Sequence, residues 1–134
     1  MAKGQWHKKT SWRRVSPNAG RQKELNWRLD RKLSLGLMGE IGVHQVDALG
    51  WLMNERPVSV TGFGSIIQWN DGRNVPDTIQ TVFDYPSGAR AIYDCTLANS
   101  FDASYDMIYG SYAALMMRGA RAWMFKEADS PLLG

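Results

Sequence analysis

Four side chains near the middle of the chain have the types and the spacing for proton chemistry. Glu40, His44, Asp47 and Trp51 fall at i, i+4, i+7 and i+11, which is one stripe of an α-helix. A histidine with a carboxylate one turn before it and another one turn after it can be held in a single tautomer, as a general acid/base requires. The same stripe also reads as a polar helix face whose charges satisfy one another through i,i+3 and i,i+4 pairs. Gly36, Gly39 and Gly42 precede it, and glycines there weigh toward a site because they admit a ligand or a second backbone closely. Glu40, His44 and Asp47 also make three donors for a metal ion. The helix lacks the second histidine of a zinc-protease motif, and no metal is expected.

The stripe needs a helix, and the apolar pattern supplies one. Met38, Ile41, Val46, Leu49, Leu52 and Met53 follow a 3.6-residue period, which predicts a helix near residues 37–53 that stops before Pro57. Beyond Pro57 the pattern becomes that of strands. Val58–Trp69 reads as one, and Thr78–Tyr85 and Ala89–Leu97 flank a Pro86-Ser87-Gly88 turn. Asp106–Met117 and Ala120–Lys126 flank Arg118-Gly119, and Trp123-Met124-Phe125 reads as sheet core. Residues 1–24 form a basic lead-in with a short strand near Gln5–His7 and a loop at Ser16–Gly20, and residues 25–134 form the domain proper. The order is coil, one helix and five strands. That is an α+β fold, with one main helix packed on a mostly antiparallel open sheet. One helix covers only one face of a sheet, so the other face is solvated or meets a partner, and a homo-oligomer through the sheet is expected.

The composition narrows the function classes. The chain has 134 residues, 44% hydrophobic and 22% charged, enough for one domain with its own core. Cys95 is the only cysteine, so an internal disulfide is excluded, and its mid-strand position reads as a buried inert thiol. No apolar run reaches the roughly 18 residues of a membrane span. No secretory signal follows Met1, so a cytoplasmic protein is expected. Residues 1–33 carry ten Lys and Arg against Glu24 and Asp30, whereas the rest of the chain is mildly acidic. Lys8, Lys9, Arg13 and Arg14 with Trp6 and Trp12 could meet phosphates and bases. No readout motif accompanies them, and nucleic acid is not expected as a partner. Gly62-Phe63-Gly64 fails the dinucleotide fingerprint because Ile67 stands where its third glycine belongs.

Several stretches together carry a resemblance. Gly39-Glu40-Ile41-Gly42-Val43-His44-Gln45-Val46-Asp47 resembles the helix signature of the glucose-fructose oxidoreductase, inositol dehydrogenase and rhizopine-catabolism family, Gfo/Idh/MocA. Trp27-Arg28 is similar to that family's lead-in, and Asn54-Glu55-Arg56-Pro57-Val58-Ser59-Val60 to its entry into the first long strand. Asp77-Thr78 and Tyr85-Pro86-Ser87-Gly88-Ala89 are similar to its following hairpin, and the likeness runs from about residue 5 to the end. It implies the C-terminal domain of an NAD- or NADP-dependent enzyme that moves a hydride to or from a sugar or cyclitol carbon. By the same resemblance His44 takes the acid/base position. Glu40, where the family usually has Asp, orients it, and Asp47, Trp27, Arg28 and Arg13 line the substrate pocket. The family's Rossmann domain and its Glu-Lys-Pro lysine have no counterpart here. A fragment that binds no cofactor and is inactive alone is therefore expected, with a binding or oligomerisation module as the alternative.

Overall fold

A computed structural model describes residues 1–131. Strand β1 (Ala2–His7) is followed by a short helix α1 (Ala19–Leu25) and a single 3-10 turn (Trp27–Leu29). A π-helical turn (Met38–Gly42) then runs directly into α2 (Val43–Met53). The remaining strands are β2 (Ser59–Ser65), β3 (Thr78–Asp84), β4 (Arg90–Thr96), β5 (Ser104–Tyr109), β6 (Ala113–Arg118) and β7 (Arg121–Lys126). Together the strands form one open sheet in the order β2-β3-β4-β1-β5-β6-β7. Every neighbouring pair is antiparallel except β1 and β4, which run parallel with Ala2 opposite Ala91 and His7 opposite Thr96. The α+β class and the open, mostly antiparallel sheet stand as the sequence implies.

Four details differ from the sequence reading. The lead-in is not mostly coil, because β1 is the central strand of the sheet. The expected loop at Ser16–Gly20 instead starts α1, where the Asn18 side chain caps the helix by accepting from Arg21 N at 2.9 Å. The single strand expected over Asp106–Met117 is broken at Gly110, whose N–H donates to Ala113 O at 2.9 Å; with β1 added to the five strands expected after the helix, the described residues hold seven. Trp123, Met124 and Phe125 are 42%, 59% and 55% exposed, because β7 is an edge strand that α2 does not reach. The main helix itself ends where expected, with Asn54 in the left-handed region before Pro57.

The core lies between α2 and the middle of the sheet. Leu37 and Leu49 from the helical side meet Ala2, Ala91, Tyr93, Cys95 and Phe83 from the strands. One glycine sets the distance. A Cβ on Gly42 would come within 3.0 Å of the Tyr93 ring, so a methyl group there would push helix and sheet apart. A Cβ on Gly4 would instead crowd Asp106 and Tyr93 of the neighbouring strands, at 3.1 and 3.2 Å. Cys95 is buried here, and burial drives its thiol up to about 12, consistent with an unreactive cysteine. Gly4 faces α2, so Lys3, Gln5 and His7 point to the opposite, uncovered face by strand alternation. On that face His7 Nε2 lies 2.6 Å and Lys3 Nζ 3.6 Å from Asp94.

Candidate functional site

The candidate residues sit where irregular helix becomes regular helix. The π-helical turn carries Glu40, and α2 then carries His44 and Asp47 on its first two turns. Such turns interrupt the i→i−4 ladder and recur at functional sites. The turn is held from outside the helix. Arg28 Nε donates to Glu40 Oε2 at 3.0 Å, and the Ser34 hydroxyl donates to Glu40 Oε1 at 3.3 Å. Ser34 Oγ in turn accepts from Gly36 N at 2.9 Å, which closes the turn before the helix.

Arg28 is positioned a second time, by aromatic rings. Its guanidinium carbon lies 5.3 Å from the centre of the Trp27 ring and 5.9 Å from that of Trp12, both within cation–π range. Arg13 is held in the same neighbourhood. It donates to the Asp71 main-chain oxygen, and its Nε is 3.7 Å from the Asp71 carboxylate. Asp71 is also gripped by Arg73, and that guanidinium holds its carboxyl below the usual carboxylate range.

Four of the six sequence-predicted residues thus come together: Trp27, Arg28, Arg13 and Glu40. Glu40 does so through Arg28 and Ser34 rather than through the histidine four residues on. His44 and Asp47 are exposed on the outer side of α2. Asp47 borders a separate, largely apolar recess of about 440 Å³ with Leu35, Met38, Val43 and Phe83. The glycines that seemed to leave room for a ligand instead pack against the chain's own side chains. A Cβ on Gly39 would sit 2.5 Å from Leu35 Cβ, and one on Gly42 would sit 2.7 Å from Met38 Sδ. The space beside the main chain at Gly39 and Gly42 is thus taken by these side chains. Among the described residues, no group of three or more His, Cys, Asp or Glu could hold a metal ion.

Two contributors escaped the sequence reading as members of this site: Ser34 and Trp12. Trp12 stands out in the sequence only as an aromatic among basic residues. Ser34 carries no spacing signal at all, since it meets Glu40 across a turn.

Behind the site, α2 is anchored to the sheet by polar bonds. Gln45 Nε2 donates to Gln5 O at 2.8 Å and to Asp106 Oδ1 at 3.1 Å. Burial raises the Asp106 carboxyl, and the bond from Gln45 offsets part of that rise.

The fold is thus an α+β domain, an open, mostly antiparallel sheet with a helix over its middle. Residues 6–116 match the GFO/IDH/MocA C-terminal domain, and the chain belongs to that family. Among solved structures it is similar to an NAD-binding oxidoreductase from Klebsiella pneumoniae, at 17% identity and a TM-score of 0.73, covering 97% of this chain and 36% of that one. It is similar to levoglucosan dehydrogenase in complex with NADH at 19% identity and a TM-score of 0.72, again covering 97% and 36%. An oxidoreductase domain protein from Kribbella flavida aligns at 20% identity and a TM-score of 0.66, covering 87% and 32%. The chain therefore spans about a third of the length of these structures. A comparison with the curated proteins found no match. Among the described residues no helix is long and apolar enough to cross a membrane.

Proposed function

We propose that the chain is the substrate-binding and catalytic domain of an NAD- or NADP-dependent oxidoreductase acting on a hydroxyl of a sugar or cyclitol. The observation that carries this reading is the Trp27–Arg28–Glu40 cluster tied to the turn that launches α2, with His44 exposed one turn further along. His44 takes the proton of the hydroxyl being oxidised and returns it in the reverse direction. Glu40 fixes Arg28, and Arg28 with Trp27 orients the substrate's hydroxyls. Arg13 completes the pocket, whereas Asp47 borders the separate apolar recess. The hydride carrier binds a part of the enzyme other than these residues, and the 134-residue chain alone is inactive. The levoglucosan and L-sorbose complexes of levoglucosan dehydrogenase support a sugar as the substrate class, and a cytoplasmic location suits such an enzyme.

The test uses the complete enzyme. His44→Asn is expected to lower kcat by about 10²- to 10⁴-fold with an unchanged circular dichroism spectrum. A variant that keeps its rate ends the reading. Turnover of a polyol by the purified 134-residue chain with NAD or NADP ends the claim that it is inactive alone.

A second reading has its own observation. The sheet face turned away from α2 exposes Phe63 (79%), Ile92 (38%), Trp123 (42%) and Phe125 (55%). Such a face suits a homo-oligomer, with or without catalysis. Sedimentation of the chain is expected to show a dimer or larger species that Trp123→Arg converts to monomer. A monomeric chain at all concentrations removes this reading.

A further inference from the structure

We propose that the cavity between Trp12, Arg14 and Arg28 holds the carboxylate or phosphoryl group of an acidic polyol. The cavity measures about 190 Å³, and its walls include Thr10, Trp12, Arg13, Arg14, Trp27 and Arg28. Arg13, Arg14 and Arg28 all line it, and no Asp or Glu does. A guanidinium only donates hydrogen bonds. Apart from the Thr10 hydroxyl, the polar side chains offer donors without acceptors. A neutral polyol needs both, whereas an oxyanion needs donors alone.

The arginines are also placed in advance. Glu40 takes Arg28 through Nε at 3.0 Å rather than through its terminal nitrogens, and Trp12 and Trp27 bracket the guanidinium. The main chain of Arg14 is clamped from both sides by Asn26, whose Oδ1 accepts from Arg14 N and whose Nδ2 donates to Arg14 O, each at 2.8 Å. The Arg14 side chain is left exposed at the cavity mouth. Arg28 is paired with Glu40 and Arg13 shares Asp71 with Arg73, so among the described residues Arg14 is the one guanidinium of the three without a carboxylate in ion-pair range. Fixing the Arg28 donors beforehand lowers the entropic cost of binding an anion. The Arg28–Glu40 bond ties the cavity to the turn that precedes His44. This inference rests on the oxidoreductase reading for its polyol, and on the cavity for its anion.

Titration calorimetry of the 134-residue chain at low salt tests it, with glucuronate, glucose 6-phosphate, glucose and inorganic phosphate as probes. Glucuronate or glucose 6-phosphate is expected to bind at least about tenfold more tightly than glucose, and to weaken about tenfold in Arg14→Gln and in Arg28→Gln. Whichever acid binds more tightly identifies the group as carboxylate or phosphoryl. Circular dichroism checks that both variants fold. Glucose binding as well as the acids overturns the proposal, as does affinity that ignores both arginines. Binding of inorganic phosphate alone, or of none of the four probes, overturns it too. These readouts involve no turnover. Absent anion binding with a rate still dependent on His44 removes only this subsite, and the reverse pattern removes only the oxidoreductase reading.

Discussion

Asp77 and Glu40 are two carboxylates with both oxygens bonded, and they differ in what they bond to. Asp77 is fully buried. It accepts from the main-chain N–H groups of Ile67, Gln68 and Trp69 at 2.8 to 3.0 Å, and from the Thr78 hydroxyl at 3.2 Å. Glu40 is 19% exposed in its side chain and accepts only from other side chains, Arg28 and Ser34. A carboxylate that answers main chain fixes the path of the backbone, here the loop that leaves β2 and returns to β3. One that answers side chains leaves the path alone and fixes where those side chains point. The first belongs to the fold and the second to the site.

The largest effect should therefore fall on Asp77. Asp77→Ala removes the buried acceptor of three main-chain N–H groups and the Thr78 hydroxyl and is expected to cost about 3 kcal/mol or more, read from the urea midpoint. A loss under about 1 kcal/mol would place Asp77 with Glu40 and erase the contrast. The pH dependence sharpens the same point. Burial alone raises the Asp77 carboxyl, but the bonds from Ile67, Trp69, Gln68 and Thr78 outweigh it and hold it below the usual range. A carboxyl depressed in the folded state stabilises fully at neutral pH, and that share is lost as pH falls below the ordinary value of about 4. Asp77→Asn should flatten this acid limb of the stability curve. An unchanged limb would assign it to other carboxyls, such as Asp71.

The contrast also explains what was legible in the sequence. Local chemistry announced the helix, through its 3.6-residue period and Pro57, and the hairpin at Pro86-Ser87-Gly88. The position of β1 was not local. Its parallel pairing joins Ala2 to Ala91, across most of the chain, and no pattern within a six-residue strand encodes a partner that far away. Helix α1 was hidden because it buries none of its residues, leaving the Asn18 cap as its only mark. The apolar run through Met107, Ile108, Leu115, Met116 and Met117 concealed the turn at Gly110. Within the site, spacing showed that Glu40 and His44 share a helix face. It could not show that Arg28, twelve residues earlier, would reach Glu40 across a turn.

A smaller effect is expected at that ion pair. Glu40→Gln keeps an acceptor for Arg28 or Ser34 and loses the charge. Arg28 is 53% exposed in its side chain, so solvent already screens the pair. The stability loss should stay under about 1 kcal/mol, and a double-mutant cycle with Arg28→Ala should give a coupling of about 0.5 kcal/mol. In the complete enzyme the same substitution should reduce kcat/KM, because it frees Arg28 from its fixed direction. A coupling above about 2 kcal/mol would make Glu40 a structural carboxylate like Asp77.

The smallest effect on the isolated chain belongs to Trp51, the last member of the helical stripe. It is 81% exposed, beside an open groove that also involves Asp47 and Arg56. Truncating a side chain that touches so little removes almost no burial, so Trp51→Ala should shift the stability of the 134-residue chain by less than about 0.5 kcal/mol. Leu35 at 85% and Val43 at 49% exposure add apolar surface to the solvent side of the same helical segment. If another part of the complete enzyme covers this surface, Trp51→Ala should cost that enzyme 1 kcal/mol or more by lost burial, at about 25 cal/mol per Å². Equal, near-zero costs in chain and enzyme would mean that the outer face of α2 meets water in both, and that His44 works at an open surface.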